Sequence, residues 1–161
     1  MDFIATWFGE NLGKYIAPEL VTFIVSLLPF LECRGGIIVG RLLGLPLATT
    51  IFCSVLGNIV PIPFILLFIK KIFALLKPTK LLGPVVTKLE AKAMKKSSAL
   101  EKGEILGLIL FVGIPLPGTG AWTGALISSL LGIRIKKASV AILIGIAMAT
   151  VIVSLIMYGI L

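Results

Sequence analysis

Pro29-Phe30-Leu31-Glu32-Cys33-Arg34-Gly35-Gly36 interrupts a long apolar stretch with a proline, two opposite charges and paired glycines. No regular helix runs through it. Proline removes a donor and clashes with the preceding turn, and paired glycines favour a change of direction. A second interruption, Pro115-Leu116-Pro117-Gly118-Thr119-Gly120, stands in the middle of a second apolar stretch. The two stretches, residues 20–69 and 105–161, are each much longer than the roughly 20 residues that one membrane helix needs. Each therefore holds more than one membrane element, and each is broken part-way along its first.

Sliding the sequence on itself by 88 positions aligns the two halves. Gly36 falls on Gly124, Leu42-Leu43-Gly44 on Leu130-Leu131-Gly132, and Gly57 on Gly145. Shared leucines carry little weight in apolar sequence, but shared glycines carry backbone geometry. The chain reads as two repeats, residues 18–76 and 105–161.

Composition agrees with a membrane protein. Of 161 residues, 58% are hydrophobic, and the net charge of +8 is concentrated in one region. Residues 70–104 carry nine lysines against three glutamates. An apolar chain with one basic segment follows the positive-inside rule, which makes residues 70–104 cytoplasmic. Nucleic-acid binding is not indicated, because no aromatic residues interleave with these lysines. Residues 1–16 lack the basic and apolar regions of a signal peptide. Phe3, Ile4, Trp7 and Phe8 instead suggest an interfacial helix within residues 1–17. With no histidine and no paired-cysteine motif, neither a metal nor a cofactor is expected, and Cys33 and Cys53 read as free thiols.

Two topologies compete for each broken segment: a kinked crossing, or a re-entrant hairpin that turns near the midplane. Charge favours the hairpin. The basic groups near the second break are Arg134, Lys136 and Lys137, just after it. A crossing helix would put them on the opposite side from residues 70–104, whereas a hairpin keeps both inside. Arms of about ten residues reach about 15 Å, half of a roughly 30 Å core. The first hairpin then enters from outside, residues 48–69 cross inward, and residues 138–160 return outward. The expected fold is an all-α integral membrane protein of two inverted repeats, each a re-entrant helical hairpin followed by a transmembrane helix. A basic amphipathic helix joins them within residues 77–104. Val85, Val86, Leu89 and Ala93 share its apolar face between residues 83 and 100. Arg41 runs against the charge rule and must snorkel to the outer interface.

Glu32 and Arg34 are the candidate site. Charges near the midplane cost about 2.5–3.5 kcal/mol each, so the two either face a cavity or pair and pin the hairpin tip. The second tip, Pro117-Gly118-Thr119-Gly120-Ala121-Trp122, is uncharged. Its glycines expose backbone N–H groups ahead of a half-helix, and a second half-helix starts near Gly35-Gly36. Such N-termini attract an anionic group, which with Arg34 suits a phosphate or carboxylate. Glu32 would then be a proton-linked switch or a cation ligand. Asn58, followed by Pro61 and Pro63, joins the site through its place in two polar stripes: Thr50, Ser54, Asn58 and Thr150, Ser154, Tyr158. Both lie in the outer half and suggest a hydrated cavity. No enzymatic constellation is present.

Leu31-Glu32-Cys33-Arg34-Gly35-Gly36-Ile37 resembles the Glu-Leu-Arg-Gly-x-Ile-Pro signature of the small multidrug export protein family of prokaryotic membrane proteins. Cys33 replaces the usual Leu, and Ile38 the usual Pro. Pro115 to Gly124 resembles the family's second signature, and Gly57-Asn58-Ile59-Val60-Pro61-Ile62-Pro63 fits between them. The resemblance implies a cell-membrane transporter. The family is in turn distantly similar to the DedA superfamily, whose members have opposed re-entrant hairpins and include lipid-phosphate flippases and scramblases. That implies an undecaprenyl-phosphate-like or other anionic amphiphilic substrate, with a proton or cation as coupling partner. Proton-coupled export of cationic drugs and a non-transporting membrane scaffold are the alternatives. Two spanning helices seal poorly around a site, so a homodimer is expected.

Overall fold

The computed structural model describes residues 17–80, 82–96 and 103–159. The interfacial helix expected before residue 17 lies outside them, as do residues 97–100 at the end of the expected linker helix. Every regular element among the described residues is helical. In chain order they are α1 (Pro18–Leu27), α2 (Glu32–Leu42), α3 (Leu47–Ile59), α4 (Pro61–Leu76), α5 (Gly83–Lys96), α6 (Glu104–Gly113), α7 (Ala121–Leu130) and α8 (Ile135–Tyr158).

The 88-position offset reappears in the backbone. Two short helices separated by a break precede a long helix in each half, and α3 and α8 start at Leu47 and Ile135. The second short helix of each pair ends in the same cap. Leu45 N–H bonds back to Gly40 O beside Gly44 at φ +77°, and Ile133 N–H bonds back to Ser128 O beside Gly132 at φ +74°. Both are six-to-one closures that need a left-handed residue, which glycine supplies without a Cβ clash.

The segment from Leu47 to Leu76 is a 30-residue apolar span and α8 is one of 24; both are long enough to cross a membrane. In the first, Val60 stays helical (φ −51°, ψ −47°), so α3 and α4 run on into each other. Pro61 withholds the N–H that Gly57 O would otherwise accept, which interrupts the ladder without ending the helix. The observed spans are longer than the expected 48–69 and start earlier than the expected 138, because the glycine caps stop the preceding helices sooner. A basic helix follows the first span, as the lysine pattern predicts. Lys77 and Glu90 form an ion pair at 2.8 Å that ties α5 to the end of α4. On α5, Val86 is buried while Val85 and Leu89 are half-exposed, so one residue of the apolar face packs inward and the others remain uncovered. Ala93's side chain is outside the description.

Helices approach closely where the sequence is small. A Cβ on Gly57 would strike the backbone carbonyl of Phe23 on α1 and lie 2.8 Å from Ser26 Cβ. A Cβ on Gly145 would lie 2.6 Å from Val112 Cβ and 3.0 Å from Ile109 O on α6. The two glycines are the aligned pair of the internal repeat, and each marks the crossing of a short helix over a long one. Ala138, Ala141 and Ala149 extend that buried face of α8. Small residues allow the close backbone contact on which helix association in lipid depends. Gly57→Ala and Gly145→Ala should each destabilise the fold by about 1–3 kcal/mol, the usual cost of overpacking. Because the crossings are separate, the two effects should add. Thermal unfolding in detergent measures both; a neutral result at either glycine would mean that the crossing there is loose.

Candidate functional site

The two breaks meet. At the first, α1 stops at Leu28, the chain turns through Pro29, Phe30 and Leu31, and α2 begins at Glu32. Glu32 itself has φ +53°, the left-handed region, at a cost of about 1–2 kcal/mol for a residue with a Cβ. At the second, α6 ends at Gly113, Ile114 is extended, and Gly118 and Gly120 take φ +76° and +145° before α7 starts at Ala121.

Glu32 does not face solvent or Arg34; it is 4% exposed. Its Oε2 accepts the Ala121 N–H at 3.0 Å and its Oε1 accepts the Trp122 N–H at 3.1 Å. These are the first two amides of α7, which no intrahelical carbonyl can satisfy. A carboxylate there also meets the positive end of the helix dipole. The anion expected at this half-helix N-terminus is thus supplied by the chain itself. Gly120 is required beneath it, because a Cβ there would overlap the Glu32 carboxylate.

Arg34 does the reverse at the end of α6. Its Nη2 donates to Val112 O at 2.9 Å and Ile114 O at 3.2 Å, and its Nη1 to Leu116 O and Thr119 O, both at 3.2 Å. Val112 O stands at the end of α6, and the other three carbonyls belong to the irregular segment that follows it. Thr119 Oγ1 adds donations to Ile114 O at 3.1 Å and Leu116 O at 2.9 Å. The planar guanidinium reaches four acceptors because its donors are spread in a fixed fork. Glu32 and Arg34 therefore neither pair with each other nor project together into a cavity. Each crosses to the opposite break and satisfies the backbone there.

A cavity of about 940 Å³ lies between the breaks. Among the expected site residues, Arg34, Gly35, Pro117, Gly118, Thr119 and Trp122 line it. The other four stand elsewhere. Glu32 and Gly120 form the junction just described. Gly36 packs so closely that a Cβ would overlap Ser26 Oγ and come within 2.7 Å of Ser54 Oγ. Asn58 is fully buried in α3 beside Cys33. The lining residues that motif reading passes over are apolar: Phe30, which is 93% exposed, and Ile65, Ile69 and Phe73 along one face of α4. Their four-residue spacing marks a helical stripe, but nothing in the sequence distinguishes a stripe facing a cavity from one facing lipid.

An all-helical chain with two membrane-length apolar helices and a cavity at paired helix breaks belongs to the class of polytopic membrane proteins. Residues 32–152, from the first charged break into the second long helix, match the family described as "Putative small multi-drug export protein", and the chain belongs to that family. No curated protein and no solved structure matches it.

Because the two charges serve separate partners, removing either should weaken the junction and removing both should not restore it. Glu32→Gln should cost about 1.5–3 kcal/mol, the range for hydrogen bonds to a charged group. Arg34→Gln should cost a similar amount, and the double variant more than either. Thermal unfolding in detergent compares the three, and recovery of stability in the double variant would show a direct Glu32–Arg34 pair instead.

Proposed function

We propose that the chain is a membrane transporter whose substrate, an anionic amphiphile such as a lipid phosphate, occupies the cavity between the two breaks. The observation that carries this reading is the composition of the cavity wall: Arg34 is the one charged side chain among its described residues, and the remainder is largely apolar. The volume lies within the roughly 300–1,000 Å³ of ordinary ligand sites. An apolar tail fits against Phe30, Ile65 and Ile69, and an anionic head beside Arg34, Thr119 and Trp122. The indole Nε1 of Trp122 and the Nε of Arg34 are both buried donors with no acceptor among the described residues. The family description favours a drug exporter as the second reading. A cationic drug would need an anionic wall, and Glu32 is turned away into the α7 amides. A scaffold that transports nothing has no use for a cavity at the junction.

In this reading the helix–break–helix units are opposed re-entrant hairpins of inverted repeats. Their arms of 10 or 11 residues reach half of a roughly 30 Å core. The turn after α2 lies at the end of α8, where Tyr158 Oη donates to Leu45 O at 3.0 Å. The turn after α7 lies at the opposite end, with Gly132 near Lys70. Lys70, Arg134, Lys136 and Lys137 then share the cytoplasmic side of a prokaryotic inner membrane. Arg41, at the outer end, stacks over the Tyr158 ring at 5.1 Å. Glu32 is the proton-linked element: protonation would remove the negative charge from the α7 N-terminus and loosen the junction. A homodimer completes the seal around the site.

Two experiments test this. With Cys33 and Cys53 replaced by serine, single cysteines at Ala48, Thr87 and Ile135 should label respectively from outside, from the cytoplasm and from the cytoplasm; outside labelling of Ile135 would replace the hairpin with a crossing helix. For the substrate, Trp7→Phe leaves Trp122 as the sole indole. Dodecyl phosphate should shift its emission saturably in detergent-solubilised protein, and dodecyltrimethylammonium should not. The reverse preference would establish the cationic-drug reading. Crosslinking in native membranes should trap a dimer; recovery of monomer alone would count against it.

A further inference from the structure

A buried serine or threonine on a helix ordinarily donates to the carbonyl four residues back. Three residues of this chain do so: Thr22 to Pro18 O at 2.8 Å, Ser26 to Thr22 O at 2.8 Å and Ser128 to Gly124 O at 2.7 Å. Ser54, Thr150 and Ser154 do not, although they are 0%, 5% and 7% exposed. Among the described residues their hydroxyls find no oxygen or nitrogen partner, and neither does Oδ1 or Nδ2 of the fully buried Asn58.

These groups belong to one row. Thr50 and Tyr158 join α3 to α8 through a hydroxyl pair at 2.6 Å. The helices run antiparallel, and each carries polar residues at every fourth position. The register that sets Thr50 against Tyr158 therefore sets Ser54 against Ser154 and Asn58 against Thr150. The last rung is fixed independently, because the Cys33 thiol lies beside both Asn58 and Thr150. A thiol is only a weak donor and acceptor, so it does not discharge either of them. Helix α2 closes the third side of the row: a Cβ on Gly36 would come within 2.7 Å of Ser54 Oγ, and one on Gly40 within 2.8 Å of Thr50 Oγ1. The row starts at the Tyr158 end of the bundle and stops at Cys33, the residue after Glu32.

An unsatisfied polar group costs about 1–3 kcal/mol when buried, so several in one row imply an occupant. Asn58 identifies it. A bare cation would satisfy Oδ1 and the hydroxyl oxygens and leave Nδ2 open, whereas water donates and accepts, and buried water typically makes about three hydrogen bonds to such groups. We propose that the α3–α8 polar row holds a file of water molecules that gives protons a path from the Tyr158 end to Cys33, the backbone neighbour of Glu32. The proposal rests on the reading of Glu32 as the proton-linked element. The step is a simple proton hop along the row as far as Cys33: each O–H bond formed is matched by one broken on the neighbouring water, and no electrons move. On its own helix Glu32 has Cys33 and Arg34 beside it. The helices packed on α2 bring Glu19 of α1, Cys53 of α3, and Lys136, Lys137 and Tyr158 of α8; of these, Glu19, the two lysines and Tyr158 stand near helix ends away from the break.

Cys33 reports on the water directly. In a Cys53→Ser protein it is the one thiol, and its S–H stretch in the infrared shifts when the proton is replaced by deuterium. After transfer of nanodisc-embedded protein into D2O, the Cys33 band should convert at least tenfold faster than the amides of the α8 core. Ser54→Ala with Ser154→Ala, which opens space but leaves it apolar and dry, should slow conversion at least tenfold; unchanged Trp122 emission confirms that the variant is folded. Conversion no faster than the α8 amides, or equally fast in the double variant, would overturn the water file. The result needs no substrate, so the two readings fail separately. Fast exchange without amphiphile binding would leave the file and remove the transporter; binding without exchange would do the opposite.

Discussion

A helix that stops inside the protein leaves backbone groups without intrahelical partners, and this structure is organised around their satisfaction. The end of α6 leaves carbonyls and the start of α7 leaves amides. In an apolar surrounding each costs several kcal/mol if unpaired. The chain meets the amides with an anion, Glu32, and the carbonyls with a cation, Arg34. Each charge is itself expensive there, about 2.5–3.5 kcal/mol. Placed against the helix end of opposite sign, each offsets the cost of the other group's burial. The arrangement is an ion pair with two helix termini inserted between its members.

That constraint fixes much of the surrounding geometry. The carboxylate approaches the α7 amides so closely that position 120 admits no Cβ. Reaching them also holds Glu32 in a left-handed conformation, a strain tolerated because two charge-assisted hydrogen bonds offset it. The short helices can be held this way only if they lie against the long ones, and the aligned glycines at 57 and 145 let them. Sequence position 32 aligns with 120 under the repeat. One half of the molecule thus places a charged side chain where the other half provides the space to receive it.

The helical architecture was legible because its signals are local. Prolines mark the breaks, a glycine after the second short helix of each half marks its cap, and the 88-position alignment predicts the second half from the first. The inner end of the first span was misplaced because the cue was the charge of Lys70 and Lys71, and a helix can continue through lysines whose stems stay apolar, here to Leu76. Glu32 and Arg34 were legible as functional or structural charges, but their partners were not. The partners are backbone amides and carbonyls of the other break, and every residue has those. A side-chain motif can show that a charge needs a counterpart; it cannot name a counterpart made of main chain. Asn58 illustrates the complementary difficulty. Its spacing with Thr50 and Ser54 revealed a polar face, but only the packing of α8 against α3 shows that this face is matched by a second and enclosed away from the cavity between the breaks.

Residues 32, 33 and 34 are consecutive at the start of one helix, and successive side chains on a helix point about 100° apart. Three neighbours therefore serve three surroundings. Glu32 turns to the α7 amides, Cys33 to the polar row between α3 and α8, and Arg34 to the α6 carbonyls and the cavity wall. A residue inserted between them would rotate at least one onto the wrong surface, so the motif is a statement about direction as much as chemistry. It also ties the three regions together mechanically. A rotation of α2 that releases Arg34 from the carbonyls must move Glu32 relative to α7 and Cys33 relative to Asn58, because one rigid turn of helix carries them all. Events in the cavity and in the polar row are thereby linked through the shortest possible connection, a single turn of backbone, without a chain of intervening side chains.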